Sequence, residues 1–251
     1  MANRDKITAF LDGLLDSKRI KDHSQNGLQF EGAPEVKKIA FGVSASLECI
    51  RRAAASGAEM LIVHHGLLWG RSQPFKGPFK EKLGLLFKSG MSLAAWHLPL
   101  DKHPSVGNSA QILDILSAGK RKPFGNYDGE MIGLSGVLSK PQSSAAIART
   151  LSCALMADAL CYSFGPKTVR TAGVVSGGGQ KMFEQAIEAG LDLYITGEVS
   201  EFVQEMAREN RINFIAAGHY NTEKTGVWAL EKALRRRFKV KTLFIDVPNP
   251  V

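Results

Sequence analysis

Short apolar runs alternate with segments of helical period along nearly the whole chain, and three of those runs stop at or next to a histidine. Met60-Leu61-Ile62-Val63 leads into His64-His65. Met91-Ser92-Leu93-Ala94-Ala95-Trp96 leads into His97, and Phe214-Ile215-Ala216-Ala217 into Gly218-His219. Runs this short read as buried strands, and repeated β-then-α units predict an α/β fold with a largely parallel or mixed sheet. Ligands in such folds gather beyond the carboxyl ends of strands. Imidazoles and carboxylates delivered there suit borderline or hard divalent metals.

Spacing predicts helices over 4–16, 46–56, 80–88, 107–116, 143–151, 180–189, 200–209 and 225–236. Strands are expected over 36–43, 58–63, 92–97, 129–138, 168–175, 191–196, 213–217 and 239–247. Residues 117–126, with Gly119, Pro123, Gly125 and three basic residues, read as a linker. The expected units are therefore 1–123 and 127–251, with a C-terminal segment that packs on the first. The halves also match in pattern. Ile39–Ser44 aligns with Thr171–Ser176, which sets His65 opposite Glu198 and His97 opposite His219.

At 251 residues and 44% hydrophobic, the chain can bury one large core or two small ones. No apolar run approaches the roughly 18 residues of a membrane span. The start, Met1 to Lys6, carries no signal-peptide pattern. Cys49, Cys153 and Cys161 form no paired framework, which suggests packed thiols and a cytoplasmic protein. The net charge of +8 fits an anionic partner, nucleic acid included, or simply a solvated basic surface.

Adjacent histidines on a strand point to opposite faces; a loop after the strand could turn both rings toward neighbouring metals. Two desolvated imidazoles need partners in any case. Pro99 argues that His97 and Asp101 lie on a loop. His97 is equally a core imidazole, and Asp101 a turn cap. His219 and Glu223 precede a helix, where Glu223 could bridge two cations or simply complement the helix N-terminus. Ser176-Gly177-Gly178-Gly179 could cradle a phosphate, though a tight turn explains it as well and neither phosphate-loop fingerprint is present. Trp69, Phe75 and Phe79 are too apolar for bare solvent and suggest a lid or a subunit contact.

Asn26-Gly27-Leu28-Gln29, Val63-His64-His65-Gly66, His97 to Asp101 with Gly107-Asn108, Ile195-Thr196-Gly197-Glu198 and Gly218 to Glu223 stand in the order of one family. On these motifs the chain resembles the dinuclear-metal-centre proteins labelled GTP cyclohydrolase 1 type 2 homologues, the YbgI-like family, in its short form. The resemblance implies two similar three-layer α/β units with the metal site in the cleft between them. It implies two divalent ions per subunit (Zn, Mn, Fe, Ni or Co), held by His64, His65, Asp101, His219 and Glu223, with His97 nearby. It also implies a toroidal homohexamer. The expected activity is metal-dependent hydrolysis of a nucleotide-like or phosphorylated small molecule, with His97 and Glu223 as the catalytic residues. The alternative is a metal-binding regulatory or nucleic-acid-binding scaffold. Gly66, Leu98-Pro99-Leu100, Glu198 and Phe202 depart from the family pattern, and they concern the substrate-facing surface.

Overall fold

The computed structural model describes residues 1–70 and 72–251 and has a mixed α/β architecture with two principal sheets. The chain divides into two compact units. One comprises Met1–Leu100 and Val227–Pro248, the other Asp101–Gly226 and Asn249–Val251.

In the first unit, Lys241–Phe244, Lys38–Ser44, Met60–His65 and Ser92–Ala95 lie side by side in parallel, and Gly27–Phe30 closes the edge antiparallel. Helix Arg4–Leu15 begins where Asn3 accepts hydrogen bonds from the Asp5 and Lys6 amides, and it buries Ile7, Leu11 and Leu15. Helix Leu47–Ala55 is capped by Ser46, whose hydroxyl accepts from the Cys49 amide at 3.1 Å. Its inward stripe of Cys49, Ile50 and Ala53 joins Ala40, Leu61, Val63 and Leu93 in the core.

In the second unit the sheet order is Ala118–Tyr127, Glu130–Gln142, Val169–Val174, Leu193–Thr196, Asn213–Ala216 and Leu160–Ser163. The third, fourth and fifth of these are parallel and their outer neighbours antiparallel. Ile147, Leu151 and Leu155 of helix Ser144–Leu155 pack on Val169, Leu193 and Ile215. Both sheets therefore contain a run of parallel strands, four in the first and three in the second, closed by an antiparallel edge strand, matching the internal likeness of the sequence halves.

Several expectations need correction. Residues 118–127 are not a linker. They pair antiparallel with Glu130–Gln142, and Asp128 and Gly129 take the φ values of +50° and +91° that a tight hairpin turn requires. His65 still pairs with Ser44, so the strand includes both histidines instead of ending before them. Leu98–Lys102 is a short helix, not a loop, because a proline in a first turn has no amide to lose. The helix expected from residue 225 begins at His219 and runs to Arg237. Cys49 is buried as expected, whereas Cys153 is exposed.

Candidate metal centre

In the first unit, two neighbouring parallel strands deliver three histidines to one end of the sheet. His64 and His65 end the strand Met60–His65, and His97 follows Ser92–Ala95. Their rings cluster, with centroids 4.5 Å apart for His64 and His65 and 5.1 Å apart for His64 and His97. Ring nitrogens of all three lie within 4.8 Å of one another. Each ring is fixed through Nδ1. His64 donates to the Trp96 carbonyl at 3.0 Å, His65 pairs with the Ser44 hydroxyl at 3.0 Å, and His97 pairs with Asp22 at 2.9 Å.

Asp22 is a site residue that the sequence reading missed. Its side chain is 2% exposed. It accepts further bonds from the Leu98 amide at 2.9 Å and the Asn26 side chain at 3.0 Å. Burial alone would raise its pKa, but the His97 hydrogen bond and charge win, with help from Asn26 and the Ser24 amide, and lower it to about 2. Trp69 packs edge-on against His97, ring centroids 4.8 Å apart, and donates its indole N–H to the Gly66 carbonyl at 2.9 Å. A Cβ on Gly66 would lie 2.3 Å from the Gln29 amide, which itself accepts from the Leu67 amide at 2.7 Å. Glycine is thus the residue that fits there.

The second unit contributes carboxylates. His219 and Glu223 stand one turn apart at the start of their helix, with Nε2 and Oε1 3.0 Å apart. Glu223 is 3% exposed. Glu198, just past the strand Leu193–Thr196, meets His219 Nδ1 at 2.6 Å. Burial would lower the His219 pKa, but Glu223 and Glu198 outweigh it and raise it to about 9. Asp101, 6% exposed, accepts from the Asn108 amide at 2.8 Å and the Ser176 hydroxyl at 2.9 Å. Asn108 in turn accepts from the Gly226 amide at 2.8 Å.

The Ser176–Gly179 loop is a support for these groups. The Gly177 and Gly179 amides donate to the hydroxyls of Thr222 and Thr196, at 3.0 and 3.1 Å, so those amides are committed within the fold. Gly177 adopts φ +62°, and a Cβ there would lie 2.3 Å from Glu223 Oε1 and 3.0 Å from His219 Nε2. The glycine is what lets backbone pass this close to the two side chains. His103 serves a local turn instead, accepting from the Val106 amide at 3.0 Å.

The donor set fits a divalent metal. All four histidines are held through Nδ1 by protein oxygens, an arrangement that orients the ring in metal-binding histidines and presents Nε2. Buried carboxylates accompany them, and mixed imidazole and carboxylate donors suit transition metals as a class.

A sequence profile of Duf34/NIF3 (NGG1p interacting factor 3) matches residues 2–250. A GTP cyclohydrolase 1 type 2 homolog from Pyrococcus abyssi is 45% identical over 98% of both chains. The Escherichia coli K12 protein of the same name is 38% identical, again over 98% of both. Among solved structures, protein ybgI, described as of unknown function, superposes with a TM-score of 0.93 at 35% identity over the full length of both chains. TTHA1606 from Thermus thermophilus gives 0.90 at 34% identity, also over both full lengths.

Proposed function

The chain belongs to the Duf34/NIF3 family, and on that premise we propose that it is a dinuclear-metal-dependent hydrolase acting on a nucleotide-like or phosphorylated small molecule. The observation that carries the proposal is the shared mounting of His64, His65, His97 and His219 through Nδ1, together with the burial of the Asp101 and Glu223 carboxylates. Bound divalent ions would supply Lewis acidity and lower the pKa of water enough to make it a nucleophile near neutral pH.

The protein's own groups do the rest. His64, His65 and His219 offer Nε2, and Asp101 and Glu223 offer carboxylate oxygens. Asn108 and Ser176 keep Asp101 from rotating, because each holds the same oxygen, Oδ1. His97 can pass a proton between substrate and solvent, because it is half-buried and Asp22 holds its Nδ1. Trp69 forms an apolar wall beside His65 and His97. We further place the chain in a closed homohexamer, which would cover apolar surface such as Phe75, 74% exposed. Arg71 lies outside the described residues.

Turnover of a nucleotide panel, GTP included, tests the activity. Metal-dependent hydrolysis that disappears in Glu223→Gln supports it, and equal rates in the two proteins would show a contaminant. A second reading, a metal-binding scaffold for nucleic acid, has its own observation: Lys37, Lys38, Arg235, Lys239 and Lys241 line one open hollow of the first unit. Nucleic-acid binding with a steep salt slope, unchanged in Glu223→Gln, would favour it.

A further inference from the structure

We infer that Glu198 is a positioning residue, a carboxylate clamped by Gln180 that holds the His219 ring so that Nε2 is the nitrogen presented to metal. The inference rests on the metal-centre reading above and assigns a role to a side chain outside the proposed ligand set.

The geometry is specific. Glu198 uses both oxygens: Oε1 meets His219 Nδ1 at 2.6 Å, and Oε2 accepts from the Gln180 amide at 3.0 Å. Only the N–H end of an amide can meet a carboxylate, so the Gln180 carbonyl is left buried without a donor among the described residues. A buried carbonyl without a donor costs free energy, and the fold bears that cost while keeping Glu198 aimed. The backbone beside Glu198 is fixed as well. The Gly197 amide donates to the Gly177 carbonyl at 2.9 Å, and a Cβ on Gly197 would lie 2.6 Å from His219 Cα. The segment carrying Glu198 is therefore pressed against the residue it orients. His64 and His65 are held by neutral oxygens, whereas His219 is held by a carboxylate, which makes its Nε2 the more basic donor.

The test titrates Zn2+ into full-length wild type, Glu198→Ala and Glu198→Gln in competition with a chromophoric chelator, and records metal-free melting curves alongside. Loss of such a supporting carboxylate predicts about 10- to 100-fold weaker Zn2+ binding in Glu198→Ala with the metal-free melting temperature essentially unchanged. Glu198→Gln keeps a neutral acceptor and should fall between. If Glu198→Ala does not fold, Glu198→Gln carries the test, with weaker binding at unchanged melting expected and wild-type affinity overturning the inference. Wild-type affinity in Glu198→Ala would overturn this inference alone, as would a weakening matched by an equal loss of metal-free stability. No Zn2+ uptake by wild type would overturn the metal-centre reading with it.

Discussion

Replacing Gly177 by alanine should separate the candidate centre from the fold around it. Two costs combine. At φ +62° a residue with a Cβ pays about 1–2 kcal/mol for the left-handed conformation. The new methyl would also sit 2.3 Å from Glu223 Oε1, where ordinary contact begins near 3.4 Å, so the carboxylate must retreat by roughly 1 Å. Overpacking of this kind costs typically about 1–3 kcal/mol, which brings the sum to about 2–5 kcal/mol. For a chain of this size that corresponds to a fall of roughly 5–15 °C in melting temperature. Retreat of Glu223 should also weaken metal binding. Gly178→Ala is the matched control, because its Cβ would meet only Gln180 and Glu198 oxygens at 3.7 Å, and it should behave as wild type. Differential scanning calorimetry with and without added Zn2+ reads both effects. Equal melting temperatures and equal metal-induced shifts for the two variants would refute the argument that Gly177 keeps space open beneath Glu223 and His219.

Asn108→Ala should destabilise the metal-free protein by about 2–4 kcal/mol in urea unfolding, because it strips a donor from Asp101 and leaves the buried Gly226 amide unpaired. A loss below about 0.5 kcal/mol would mean water replaces both bonds. Asp22 has its pKa depressed from 3.8 to about 2, so its contribution is present above pH 4 and lost as pH falls through 2. Acid unfolding of wild type should thus be steeper over that window than that of Asp22→Asn; coincident curves would contradict the His97 pairing. Burial pushes the Cys49 thiol up to about 12, so a thiol reagent at pH 8 should modify exposed Cys153 quickly and Cys49 only on unfolding.

Much of the fold was readable because most of the central strands are short apolar runs with helices between them. What misled was local chemistry with two readings. Asp128-Gly129 is a strong hairpin signal, but Pro123 and the basic run before it suggested a linker; pairing with Glu130–Gln142 decides otherwise. Pro99 argued for a loop, yet a proline at a helix start is compatible with the turn Leu98–Lys102. Gly27–Phe30 and Leu160–Ser163 escaped notice because each is only a four-residue edge strand. The candidate ligands were legible as polar residues at strand ends. Their supports were not. Asp22 lies 75 residues before His97, Gln180 lies 18 before Glu198, and no local pattern links either pair. Glu198 stood opposite His65 in the internal alignment, which marked its position but not its partner, His219.

The most direct test of the central claim is elemental analysis and electron paramagnetic resonance of the full-length protein loaded with Mn2+. A dinuclear centre predicts two ions per chain and an exchange-coupled spectrum, both reduced in His65→Ala and in Glu223→Gln. No retained Mn2+, or only the hyperfine pattern of isolated ions, would contradict it.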